Sequence, residues 1–134
     1  FDQDLRFGSE SLKQAFFLVK LLEDHEWPGM KHFDAHAYRS EDREGVWDFA
    51  AGCMRTYLIL KEKVQQFNAH SEIQGLLSEI REVDESVAEL CRGYSPAKAK
   101  ELLSTKFDRQ ILASRRLPYE RLDQLTVEVL FGVK

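Results

Sequence analysis

The sequence predicts a mainly α-helical chain with a single short strand. Two observations carry this reading. Apolar residues recur at spacings of three and four through most of the chain, and only one short segment alternates instead. Pro and Gly punctuate the helical pattern at intervals, which cuts it into about five helices.

The first helix is expected from Leu12, Ala15, Phe16, Val19 and Leu22, with Ser9 after Gly8 as its N-cap. Phe17, Leu18 and Leu21 widen its apolar face, so burial on two sides is expected. Pro28-Gly29 closes it. Met30 to His36 is the strand candidate. Extended geometry would turn His32, Asp34 and His36 one way and Phe33 and Ala35 the other. Tyr38 to Gly45 is polar and loop-like. A long helix follows to about Phe67, with Val46, Ala50, Cys53, Tyr57, Leu60, Val64 and Phe67 along one face. Trp47, Met54 and Leu58 form a flanking row.

Ser71 with Gln74 reads as a capping box for a helix carrying Ile73, Leu76, Leu77, Ile80, Val83, Val87 and Leu90, ended by Gly93. Ser95-Pro96 opens another, with Leu102, Leu103, Phe107 and Ile111. After Pro118 a last short helix holds Leu122, Leu125 and Val129 and stops near Gly132. A lone strand cannot satisfy its own backbone groups. It must pair with another copy of the chain or with neighbours from elsewhere in a longer protein. The start at Phe1, without an initiator Met, fits the second case.

Composition narrows the function. Of 134 residues, 43% are hydrophobic and 31% charged, and the net charge is −4. Charges of both signs interleave, as on solvated helix faces, and no basic footprint for nucleic acid appears. The densest apolar stretch, Ala15 to Val19, is far shorter than a membrane span, and no secretory leader is visible. Two cysteines, Cys53 and Cys91, suggest a reduced, cytoplasmic protein with one or two packed thiols, Cys53 being read as core. A phosphate-binding glycine loop and a nucleophile elbow are both absent from the sequence.

Carboxylates carry what chemistry the sequence offers. Asp2 and Asp4, at i and i+2, can grip one cation from an extended segment, and oxygen ligands suit hard ions such as Mg²⁺ or Mn²⁺. Asp34 on the strand is a third candidate. His32 and His36 cannot join it on one ion, because alternate residues of a strand lie about 7 Å apart.

Several runs resemble xylose (glucose) isomerases of the actinobacterial and Thermus type. They are Phe1-Asp2-Gln3-Asp4-Leu5-Arg6-Phe7-Gly8, His32-Phe33-Asp34-Ala35-His36, Gly45-Val46-Trp47, Ala51 to Glu62, Glu120 to Leu125, and Phe131-Gly132-Val133. The stretch from about Asp84 to Arg116 is the least similar. The resemblance implies the C-terminal part of a TIM (β/α)8 barrel, comprising helix seven, strand eight and helix eight in residues 1–69, then a helical C-terminal arm in residues 70–134. It implies aldose–ketose isomerisation of D-xylose and D-xylulose, or glucose and fructose, with two divalent cations, Mg²⁺ or alternatively Mn²⁺ or Co²⁺. Asp2 and Asp4 match carboxylates on the catalytic metal, and Asp34 matches a ligand of the substrate-holding metal.

No catalytic side chain is expected within the chain. By the resemblance the family's lysine, histidines and glutamates fall upstream of Phe1, so the chain alone should be inactive and its metal sites incomplete. Family members are homotetramers, so self-association as a dimer or higher is expected, through apolar rows including Phe16, Val19, Trp47 and Met54. The alternative reading is a non-catalytic helical self-association module.

Overall fold

The computed structural model describes residues 5–83, 88–89, 91–106 and 108–133. Six helices occur among them: α1 (Leu12–Asp24), α2 (Arg43–Ala69), α3 (Ser71–Val83), α4 (Pro96–Ser104), α5 (Arg109–Ser114) and α6 (Tyr119–Phe131). No described helix is long and apolar enough to cross a membrane. The chain divides into two compact units, Phe1–Ala69 with Thr126–Lys134, and His70–Leu125.

In the first unit α1 packs on α2. Ala15, Phe16 and Val19 of α1 and Cys53, Leu60, Val64 and Phe67 of α2 are buried, and the Phe16 and Phe67 rings meet at 5.5 Å. The stripe foreseen along α2 is therefore closed only from Cys53 onward; Val46 and Ala50 lie exposed. Phe17, Leu18 and Leu21 are also exposed, so α1 is buried on one side. Phe16 and Val19, expected as open surface, are instead core, because α2 covers them. Trp47 and Met54 do stand open.

Helix ends depart from expectation for local reasons. Ser11, rather than Ser9, caps α1 by accepting the Gln14 N–H at 3.3 Å. Ser9 is used by a turn, where its hydroxyl donates to the Arg6 carbonyl at 2.6 Å. α1 stops before Pro28, because Glu26 adopts a left-handed φ of 47°. The Trp27 N–H then reaches the Leu22 carbonyl and the Glu26 N–H that of Glu23, which is a Schellman ending. Asp42 starts α2 by accepting the Gly45 N–H at 2.9 Å.

The Met30–His36 strand does not form. Among the described residues there is no strand, because no second strand is present to pair its backbone groups. The alternation survives without the ladder: His32, Asp34 and His36 are exposed, while Phe33 and Ala35 are half-buried.

In the second unit His70, not Ser71, caps α3, and its Nδ1 accepts the Ile73 N–H at 3.4 Å. Ser95 caps α4 as foreseen, accepting the Lys98 N–H, with Pro96 following. The helix foreseen through Leu102 and Ile111 is split. The Ser104 and Thr105 hydroxyls both donate to the Glu101 carbonyl, Thr105 turns extended, and Asp108 opens α5 by accepting the Gln110 N–H. α6 runs on into the residues of the first unit, where Gly132, at a φ of 74°, closes a second Schellman motif.

Candidate functional site

Asp34 sits on the extended segment between α1 and α2, exposed, at the wall of a largely apolar cavity of about 440 Å³. Leu22, Trp27, Phe7, Lys31 and Tyr57 line the same cavity. Asp2 and Asp4 lie outside the described residues. Among the described residues no three His, Cys, Asp or Glu side chains gather to hold an ion. Asp34 thus offers one carboxylate, and the neighbouring histidines do not join it. The His36 Nδ1–H donates to the Ala37 carbonyl at 2.7 Å.

The segment is positioned by aromatic side chains. The Phe33 ring meets Phe7 at 5.3 Å, and Phe7 meets Tyr57 of α2 at 6.5 Å. The Tyr57 hydroxyl donates to the Glu23 carboxylate of α1. The other Glu23 oxygen accepts from Lys61 at 2.7 Å. Bonds from Lys61 and Tyr57 hold the Glu23 carboxyl below its ordinary value, against the opposing effect of burial. Burial and the bond to Glu23 push the Tyr57 hydroxyl well above the usual phenol range. The Lys31 ammonium lies 5.6 Å from the Tyr57 ring centroid.

A second polar tie runs from the same last turn of α1 to the C-terminal end of α2. The Lys20 ammonium donates to Asp24 and, at 2.8 Å, to the Asn68 side-chain Oδ1, while the Asn68 Nδ2 donates to Asp24 at 2.8 Å. Burial pushes the Asp24 carboxyl up, and the bonds from Lys20 and Asn68 together with the nearby positive charge more than offset it, leaving it lowered. Lys20 also lies over the Phe67 ring.

The Glu23–Tyr57–Lys61 cluster was missed by reading the sequence. Tyr57 sat on the predicted core face of α2, but nothing in its spacing pairs it with a glutamate 34 residues earlier. A polar-tipped aromatic within an otherwise apolar stripe was the available signal, since a buried hydroxyl needs a partner.

An extended connector with strand-like alternation and no strand partner, joining two amphipathic helices, has the form of one unit of a parallel α/β barrel. The comparisons agree with that class. The chain is 52% identical over 134 residues to the xylose isomerase of Thermus caldophilus and 52% identical over the same length to that of Thermus thermophilus. It is 40% identical over 139 residues to the xylose isomerase of Streptomyces lividans. The chain is therefore a homologue, along its whole length, of the C-terminal portion of xylose isomerase, a TIM-barrel enzyme. It spans only about a third of the length of these relatives. No protein-family model matches it.

Proposed function

We propose that this chain supplies the C-terminal part of an aldose–ketose isomerase acting on xylose, with residues 1–69 closing the barrel and residues 70–134 forming the arm. The observation that carries this reading is the unbroken 52% identity to the Thermus enzymes, combined with Asp34 exposed at a cavity wall. Asp34, with Asp2 and Asp4, would donate carboxylate oxygens to divalent cations, Mg²⁺ or alternatively Mn²⁺ or Co²⁺, and the remaining ligands would come from the rest of the enzyme. Such ions, when bound, polarise sugar oxygens and orient the open chain. The described residues do not enclose an ion by themselves, so no chemical step is assigned to them. Their part is to hold one carboxylate in place and to wall the cavity.

The test is an assay of the 134-residue chain, its mass confirmed, with xylose and each of Mg²⁺, Mn²⁺ and Co²⁺. No xylulose should form above a blank containing metal alone. Turnover would show that the chain holds a complete site and would overturn the reading.

A second reading, self-association, draws on a separate observation. Trp47, Met54 and Leu58 lie along α2 at 68%, 61% and 62% exposure. A large apolar patch seldom stays open on a soluble monomer, so the chain should pair with a second copy of itself. Sedimentation over a wide dilution series checks this; a single species of monomer mass throughout contradicts it.

A further inference from the structure

We propose that Phe7 and Tyr57 are positioning residues that fix the segment carrying Asp34, and that one short stretch of α2, from Gly52 to Tyr57, serves this segment and the run after Asp4 alike. The functional meaning rests on the reading of Asp34 as a ligand carboxylate; the positioning itself does not.

Residues 30–37 run without a strand ladder among the described residues. Within this chain the segment is held by contacts of its side chains. Phe33, the neighbour of Asp34, is held by the Phe7 ring, and Phe7 by Tyr57. Lys31, from the same segment, lies over that Tyr57 ring. Tyr57 is restrained at its far end, where its hydroxyl donates to Glu23 and Glu23 is bound in turn by Lys61. The ring is thus tethered between two helices and makes a firm platform.

Phe7 is itself fixed from both sides. Gly8 follows it at φ 82°, packed so closely that a Cβ there would lie 2.9 Å from the Thr56 methyl. Arg6 precedes it and crosses Gly52, where a Cβ would stand 3.0 Å from the Arg6 Cδ. Ser9 closes the turn onto the Arg6 carbonyl. Gly52, Thr56 and Tyr57 are neighbours on α2, four and five residues apart, so one short stretch of helix accepts Arg6, Gly8 and Phe7 together. The residues that follow Asp4 in sequence and those that flank Asp34 consequently share one support.

The experiment measures backbone amide order parameters by ¹⁵N relaxation in the 134-residue chain. The wild-type amides of residues 31–36 should be near 0.85, as in rigid backbone, and Phe7→Leu should bring them below about 0.6 while α1 and α2 keep theirs. Phe7→Tyr, which retains the ring, should restore the wild-type value; a role limited to filling volume would be served equally by Leu. Tyr57→Phe removes only the hydroxyl and should give an intermediate loss. If Phe7→Leu unfolds the helices, Tyr57→Phe decides: loosened amides at residues 31–36 support the proposal, and unchanged ones overturn it. Wild-type order in both variants overturns it as well. Asp34→Asn should leave the order unchanged, and its effect on metal dependence in the complete enzyme tests the ligand reading separately.

Discussion

The two units close their cores to different degrees. In the first, α1 and α2 seal Phe16, Val19, Leu60 and Phe67 against each other and add two polar ties from the last turn of α1. In the second, α4 buries no residue at all, and Leu103 and Tyr94 are 88% and 87% exposed. Ile73 and Leu125 are its sealed side chains among those described. Both units show helical periodicity in sequence. Periodicity reports that a helix has an apolar face, and says nothing about whether a neighbour lies within reach to cover it.

The contrast can be broken most sharply by truncating one side chain in each unit. Phe16→Ala removes a fully buried ring that touches Phe67, and it should cost about 3–5 kcal/mol in urea unfolding. Leu103→Ala removes an exposed side chain and should shift stability by no more than about 0.5 kcal/mol. Similar costs at the two positions would mean that α4 is packed after all.

Gly8→Ala should be next in size. The residue holds a φ of 82°, and an added Cβ would press on a Thr56 methyl whose β-branched side chain has little freedom in a helix. A cost of about 1–2 kcal/mol is expected from the left-handed backbone alone. Urea unfolding checks it, and a neutral result would show that the turn at Arg6–Ser9 is not held against α2.

The smallest effect is a pH dependence. Glu23 titrates below its ordinary value of 4.5 in the folded chain. A lowered carboxyl contributes stability that is present above its unfolded value and lost as pH falls through its folded one. Stability should therefore begin to fall below about pH 4.5, and Glu23→Gln should flatten that fall. Tyr57 works in the opposite direction. Its raised value means stability is kept below the ordinary phenol value of 10.0 and lost as pH climbs above it. Thermal melts across pH, with and without Glu23→Gln, measure both limbs.

Much of the first unit was legible in the sequence, because α1 and α2 carry long stripes and the connector between them alternates cleanly. The stripe residues Phe16, Val19, Cys53, Leu60, Val64 and Phe67 are all core. Less legible was which neighbours would be present. The strand at Met30–His36 kept its alternation and lost its ladder, because pairing depends on residues a local pattern does not contain. Helix ends failed for a related reason. Glu26 takes a left-handed conformation that its residue type does not advertise, and the Ser104 and Thr105 hydroxyls compete for a helix carbonyl. Of the candidate site, Asp34 was visible through its place on the connector and its resemblance. Its supports, Phe7 and Tyr57, were not, since their meeting joins three distant stretches of chain.

The central claim is that this chain supplies a ligand-bearing part of a xylose isomerase, and one chimera tests it directly. The matching portion of the Thermus thermophilus enzyme would be replaced by these 134 residues, and xylose isomerisation followed against added divalent metal. The account predicts an active chimera in which Asp34→Asn lowers turnover by at least about tenfold at limiting metal and raises the concentration of cation required. A folded chimera without activity, or an Asp34→Asn chimera with unchanged turnover and unchanged metal requirement, would contradict it.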